Sequence, residues 1–273
     1  MTTNFLVVGG TGKTGRRVAD RLRERGLPVR ITSRRGAPPF DWNDRETWAP
    51  VLKGIDAVYL TYYPDLVVPG AAADIRAFAE LAVAQGIGHL VLLSGRGEEE
   101  AEACERIVAG AGTGWTVLRC SWFAQNFSEH FLLEAVLGGE IALPAGTVTE
   151  PFVDVRDIAD VAVKVLTEPG HTGQLYELTG PRLLSFADAA ADISAAAGRD
   201  VRYVPVSAEE YAAAAVEYGV PEEEAGALTE LFARVLDGRN ESVTHDVERV
   251  LGRPATDFAG FAQDAAATGV WAR

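Results

Sequence analysis

A chain of 273 residues with 48% hydrophobic and 23% charged content holds enough apolar material for a sizeable core, in one large domain or a domain with a smaller lobe. A formal net charge of −14 and only three lysines (Lys13, Lys53, Lys164) leave no basic face for a phosphate backbone. Nucleic acid is therefore not expected as a partner, while the acidity suits solubility or a cationic small molecule.

No apolar run approaches the roughly 20 residues that span a bilayer, and the N-terminus lacks a signal-peptide pattern. Cys104 and Cys120 have no metal-ligand spacing. Buried thiols in a cytoplasmic protein without membrane or metal partners are the expectation.

The first element is the apolar run Phe5-Leu6-Val7-Val8, suited to a strand buried on both faces of a parallel sheet. It leads through Gly9, Gly12 and Gly15 into an amphipathic segment in which Val18, Ala19 and Leu22 share one face. Strand, glycine turn and helix start make a phosphate cradle. Glycines let the backbone approach a pyrophosphate, and the N–H groups of the first helical turn point at its charge. The spacing G-x-x-G-x-x-G differs from the G-x-G-x-x-G dinucleotide pattern, and an ordinary structural turn is the competing reading. Gly12-Lys13-Thr14 imitates a triphosphate loop, but that motif needs glycine where Val7 stands, which excludes it.

Gly26 and Pro28 close the helix, and Val29 to Ser33 reads as the second strand. Dinucleotide folds place a carboxylate near this strand's end to hold the ribose hydroxyls. Here the chain has Ser33-Arg34-Arg35, and paired guanidiniums suit a 2′-phosphate by charge and bidentate hydrogen bonds. NADP(H) is expected over NAD(H), with a solvated basic turn as the alternative.

Phe40-Asp41-Trp42 reads as a short third strand or its end, before a helix carrying Trp48, Val51 and Leu52. Asp56–Tyr62, His89–Leu93 and Trp115–Arg119 read as further strands, alternating with helices over Ala71–Gln85 and Glu98–Ala109. This rhythm predicts an α/β fold, a Rossmann-type doubly wound parallel sheet with right-handed crossovers. Ligands in such sheets lie beyond the carboxyl ends of the strands. That rule nominates Gly9–Gly15, Arg34, Thr61, Tyr62, Tyr63, Ser94, Gly95, Arg96 and the residues just after Arg119.

Beyond Ser121 the rhythm breaks into Trp122-Phe123-Ala124-Gln125-Asn126-Phe127, with His130 following. This aromatic stretch is either a packing segment or a pocket wall. Phe152 to Ala162 reads as a strand, a turn and a helix. Capping boxes at Ser185–Asp188 and Ser207–Glu210 open alanine-rich helices, and Pro221–Leu236 and Asp257–Trp271 supply two more. Residues 1–150 are expected to form the dinucleotide-binding domain, with 151–180 returning to its sheet. Residues 181–273 are expected to form a smaller, mainly helical substrate lobe continuous with it.

Taken in order, V-V-G-G-T-G-K-T-G-R-R-V, F-D-W-N-D-R-E-T-W-A-P-V-L-K-G-I-D-A-V-Y-L, L-V-L-L-S-G-R-G, W-T-V-L-R-C-S-W-F-A-Q-N-F and P-F-V-D-V-R-D-I-A-D-V-A resemble the NmrA-like, atypical short-chain dehydrogenase/reductase family. The resemblance covers nearly the whole chain and is greatest to the ergot-alkaloid dehydrogenase branch, which reduces an iminium with NADPH. It implies cofactor contacts at Gly9, Thr11, Gly12, Lys13, Thr14, Gly15, Ser33, Arg34, Thr61, Tyr62, Ser94 and Phe123. It places Asn126 beside the nicotinamide.

The chain departs from this family as well. No tyrosine has lysine four residues later, no lysine lies between Lys53 and Lys164, and Cys120 stands where many relatives have proline. Reducing a ketone leaves negative charge on oxygen and calls for a proton donor or an oxyanion stabiliser. Three readings are open. In the first, the acceptor is an iminium or a conjugated cation held against Tyr62, Tyr63, Trp122 and Phe127, hydride neutralises its charge, and the hydride step needs no acid. In the second, Tyr63, Arg96 or His130 protonates a quinone, enone or ketone, with Asp154 orienting the donor. In the third, the protein is a catalytically inactive NAD(P)-binding sensor of the NmrA type. Reduction of a small substrate by a monomer or homodimer is the favoured expectation.

Overall fold

The computed structural model describes residues 3–129 and 132–272, which cluster into two compact units. Residues of the first unit run to Cys120 and resume over Val155–Leu178 and Asp246–Pro254. The second takes Ser121–Asp154, Thr179–His245 and Ala255 onward. Residues 155–178 lie in the unit that holds the sheet. Residues 121–154 do not, because the chain enters the second unit directly after the fifth strand.

In the first unit β1 (Phe5–Val7), α1 (Lys13–Glu24), β2 (Val29–Ile31), α2 (Trp48–Leu52), β3 (Ala57–Leu60), α3 (Ala71–Ala84), β4 (His89–Gly95), α4 (Glu99–Ala109) and β5 (Gly114–Cys120) follow the predicted alternation. After α5 (Asn126–Glu129), α6 (Leu132–Gly138), β6 (Glu140–Leu143) and β7 (Thr149–Glu150) of the second unit come α7 (Val155–Thr167) and β8 (Gln174–Leu178) of the first. The six strands form one parallel sheet in the order β2-β1-β3-β4-β5-β8. Strand order reverses around β1, so the glycine turn sits where such sheets bind their ligands.

Alternate side chains decide which helices cover each face. Leu6, Val58, Leu60, Leu90, Leu92 and Val117 join Trp48, Phe78, Ala101 and Cys104 in one core on the α2–α3–α4 side. Packed against each other, α1 and α7 bury Val18, Ala19 and Leu22 from one and Ile158, Val161, Ala162 and Val165 from the other. Arg253 pairs with Asp157 at 2.7 Å and Asp160 at 2.6 Å, and Asp160 also pairs with Arg21. These bridges tie both helices to the segment after α11 (Asp246–Leu251).

The predicted third strand does not form. Phe40-Asp41-Trp42 contributes one isolated bridge between Asp41 and Asp44, and its rings turn into the core. Trp42 lies 5.0 Å from Phe40 and 5.4 Å from Trp48, measured between ring centroids. Trp48 donates its Nε1–H to the Asp41 carbonyl at 2.8 Å. Ring packing and this side-chain bond satisfy the segment without a ladder.

The second unit adds β9 (Leu184–Ser185), α8 (Phe186–Ala197), β10 (Arg202–Pro205), α9 (Ala208–Glu217), α10 (Glu222–Val235) and α12 (Phe258–Ala267). Both predicted capping boxes are present, at Ser185 with Asp188 and Ser207 with Glu210. Its core is aromatic: Phe127, Phe152, Phe186, Phe258 and Trp271 are all buried. Trp271 donates to the Phe127 carbonyl at 3.0 Å, which fixes the chain's end into this core. Two small sheets, parallel β6–β10 and antiparallel β7–β9, were not expected from sequence.

Candidate functional site

The turn after β1 is built from backbone constraints. Gly9 has φ +70°, a left-handed conformation that glycine adopts at no steric cost. Its carbonyl accepts the Gly12 N–H at 2.9 Å, while the Thr61 hydroxyl donates to the Val8 carbonyl at 3.0 Å. A Cβ on Gly9 would collide with that hydroxyl, and one on Gly10 would collide with the Ile31 side chain. On Gly15 a Cβ would lie 2.9 Å from the Gly9 carbonyl carbon and 3.0 Å from the Gly10 Cα. Gly12, the N-cap of α1, has only the Gly9 carbonyl oxygen nearby, at 3.2 Å, and no side chain caps the helix. The turn is thus pressed against α1 and β3 while its outer side at Gly12 stays open. Beneath it the Tyr59 hydroxyl is fully buried and, among the described residues, without a hydrogen-bond partner. A cradle that a Cβ would fill, an open helix N-terminus and an orphaned polar atom below it fit a phosphate-bearing dinucleotide.

β2 ends at Ile31, so Ser33, Arg34 and Arg35 occupy the turn that follows. The Ser33 carbonyl accepts the Gly36 and Phe40 N–H groups, both at 3.0 Å. Arg34 and Arg35 are exposed, and among the described residues neither forms an ion pair. The Arg34 guanidinium lies 5.9 Å from the ring centre of Tyr63, which is 71% exposed. The structure therefore groups Tyr63 with the arginine turn.

Tyr62 faces the other way. Its ring packs 4.7 Å from Trp42 and its hydroxyl donates to Asp74 at 2.9 Å. Burial, then the Asp74 carboxylate, pushes that hydroxyl's pKa up to about 12. This side chain packs against the core of its own unit.

At the ends of β4 and β5 charged groups lock together. Ser94 donates to Glu105 at 2.7 Å, and Arg119 binds the same carboxylate through both Nε and Nη2. Glu177 on β8 meets Arg119 at 3.2 Å and Arg96 at 3.3 Å. Arg96, whose side chain is 10% exposed, is thus an ion-pair partner, and a guanidinium does not release its proton near neutrality. Sequence reasoning missed Glu98, whose carboxyl lies over Gly95, with Oε1 2.6 Å from where a Cβ would stand. Burial, reinforced by Asp65, Glu100 and Glu105, pushes the Glu98 carboxyl up to about 8. Burial also raises Asp65. The run Glu98-Glu99-Glu100 looks in sequence like ordinary helix-start acids, and only Gly95 three residues before Glu98 could have signalled the contact.

The aromatic segment lies wholly in the second unit and divides by burial. Trp122 is half-buried, edge-on to Phe186 at 5.5 Å and 5.7 Å from Phe232. Phe123 and Asn126 are also half-buried, and Phe123 bridges to Val153. Phe127 is fully buried among Phe152, Phe186 and Phe258, a core position that exposes no ring to a substrate. Asp154, 1% exposed, accepts from Gln125 at 2.7 Å, so this buried carboxylate holds a neighbouring loop. His130 lies outside the described residues. Among the described residues no group of histidine, cysteine and carboxylate side chains could hold a metal ion.

No family model matches the chain. It is 35% identical over 285 residues to an NAD(P)H azoreductase of Xenophilus azovorans, covering 96% of this chain and 98% of the relative. An agroclavine dehydrogenase of Claviceps fusiformis is 30% identical over 287 residues, covering 95% and 96%. Among solved structures, the NADPH complex of the quinone oxidoreductase QOR2 from Escherichia coli superposes with a TM-score of 0.81 at 23% identity, over 95% of this chain and 99% of that one.

Proposed function

The chain belongs to the NmrA-like atypical short-chain dehydrogenase/reductase family and is an NAD(P)H-dependent oxidoreductase; from that premise we propose that it uses NADPH to reduce a small cyclic or aromatic acceptor, with an imine or iminium favoured. The nicotinamide cofactor, when bound, supplies the hydride. Gly9, Gly12 and Gly15 leave room for its pyrophosphate, and the first turn of α1, with Thr11, Lys13 and Thr14, meets the charge. Arg34 and Arg35, exposed and without an ion pair among the described residues, would hold the 2′-phosphate. Ser94 takes part indirectly, by fixing the end of β4 through Glu105.

One observation carries the acceptor class: Arg96 and Tyr63, the nominated acids among the described residues, are engaged elsewhere. Arg96 is paired with Glu177, Tyr63 sits on the exposed arginine turn, and no tyrosine is followed by lysine at the fourth position. A cationic C=N acceptor is neutralised by hydride and needs no acid in that step. The half-buried Trp122 supports this reading, since its ring offers a cation a negative face. Glu98 favours a second reading, in which a carboxylic acid kept protonated near neutrality serves a quinone, enone or ketone. NADPH consumption against a panel of cyclic imines, iminium ions, quinones and enones separates the two. Turnover confined to the cationic C=N compounds supports the acid-free reaction, and quinone or enone turnover that falls in Glu98→Gln supports the second. Unequal binding of NADPH and NADP⁺ with no turnover across the panel favours the regulatory sensor.

A further inference from the structure

Tyr59 occupies the middle of the sheet, on the β3 strand that pairs with β1 at Val7 and with β4 at Val91. Its carbonyl accepts the Val8 N–H at 2.9 Å, and its side chain is 0% exposed. Among the described residues the Oη atom has no hydrogen-bond partner. A buried hydroxyl left unpaired is costly, and native proteins retain few such atoms.

Two side chains face this hydroxyl, Thr14 on the first turn of α1 and Cys120 at the end of β5. The thiol proton of Cys120 is directed to the Leu118 carbonyl, 3.6 Å away. That leaves Thr14, 4% exposed, as the hydroxyl neighbouring Oη. Thr14 is the second residue of the helix whose N-terminus forms the open cradle. A threonine hydroxyl has one proton to give and two lone pairs to receive with. If it accepts from Tyr59, its own proton is free to turn outward to an anion.

We propose that Tyr59 is a positioning residue for the dinucleotide: docking of the pyrophosphate turns the Thr14 hydroxyl so that it donates to a phosphate oxygen and accepts from Tyr59 Oη. The orphaned phenol of the ligand-free protein is then satisfied only in the complex. The relay rests on the cofactor placement proposed above and extends it to a residue with no ligand contact of its own.

Tyr59→Phe removes one buried oxygen and leaves the ring in place. Three probes are titrated calorimetrically: NADPH, ADP-ribose and adenosine 2′-monophosphate, the last lacking the pyrophosphate. Affinity for NADPH and ADP-ribose is expected to fall about five- to tenfold, the worth of one neutral hydrogen bond, while adenosine 2′-monophosphate binds as before. The thermal midpoint of the ligand-free variant should be unchanged or higher, because the lost hydroxyl had no partner. Thr14→Val should lose at least as much affinity, Thr14→Ser should retain it, and adding Tyr59→Phe to Thr14→Val should cost nothing further. Unchanged affinities in Tyr59→Phe, an equal loss for all three probes, or a destabilised ligand-free variant would overturn the relay. Failure of the unmutated chain to bind NADPH or ADP-ribose would instead overturn the cofactor placement, and the relay with it.

Discussion

Gly15→Ala sets helix propensity against the cradle's geometry. Gly15 lies within α1, where alanine is favoured over glycine by about 1 kcal/mol, so propensity alone predicts a stabilised protein. The packing says otherwise. The new methyl would stand 2.9 Å from the Gly9 carbonyl carbon and 3.0 Å from the Gly10 Cα, and closer still to the Gly9 oxygen. Carbon atoms prefer about 3.5–4.0 Å, so helix and turn must part by about 0.5–1 Å. These are main-chain atoms of a turn held by Gly12→Gly9 and Thr61→Val8 bonds, and they cannot swing aside as a side-chain tip would. Overpacking of this kind costs about 1–3 kcal/mol. Taking the upper end for a backbone collision, less the propensity gain, leaves a net loss of about 2 kcal/mol. That corresponds to a midpoint lower by about 4–8 °C for a chain of this size. Thermal unfolding followed by circular dichroism reads the stability, and an NADPH titration of the same sample reads the cradle. Gly12→Val is the contrast: with only one atom near, at 3.2 Å, it should keep the midpoint and abolish cofactor binding. A raised midpoint with unchanged NADPH affinity in Gly15→Ala would refute the close fit of helix and turn.

Other perturbations follow from the same geometry. Replacing Arg34 and Arg35 by alanine should weaken NADPH far more than NADH, and equal losses in paired titrations would remove the 2′-phosphate assignment. Glu98 is raised to about 8 from the ordinary glutamate value of 4.5, so between those pH values the folded state holds a proton that the unfolded state has released. Stability should therefore fall as pH rises through this window, and Glu98→Gln should flatten that part of a midpoint-against-pH curve. A parallel decline in both proteins would contradict the assignment. His89 has the opposite sign. Its Nε2–H donates to Thr116 at 2.9 Å, since Thr116 gives its own proton to the His171 carbonyl, and burial, with His171 nearby, lowers its pKa. The unfolded state then binds the extra proton first, and stability should be lost as pH falls below about 6.5. His89→Gln should lessen that loss.

What the sequence made legible was local. Phe5–Val8, the glycine turn and the first face of α1 are contiguous, and their chemistry follows from residue order. The capping boxes at Ser185 and Ser207 are likewise read within four residues. The Phe40–Trp42 error arose because an aromatic run fits a strand and a ring cluster equally well, and only contact with Phe78 and Trp48 decides. β6 and β10 could not be paired in advance, because Ile141 meets Tyr203 across 62 residues of chain and neither strand alternates clearly. Site electrostatics were hidden for the same reason. Arg119 finds Glu105 through α4 and Glu177 through β8, adjacencies set by strand order. Trp122 and Phe127 look equivalent in sequence, yet one is half-buried and the other lies at the centre of an aromatic core.

The most direct test of the central claim is the fate of the nicotinamide's hydride. NADPH deuterated at the transferring position of the ring would be incubated with the acceptor that consumes it fastest, and the product examined by mass spectrometry. Deuterium is expected at the reduced carbon of the acceptor, with loss of transfer in Gly12→Val. A product without deuterium, or full transfer by Gly12→Val, would contradict a reductase working through the glycine cradle.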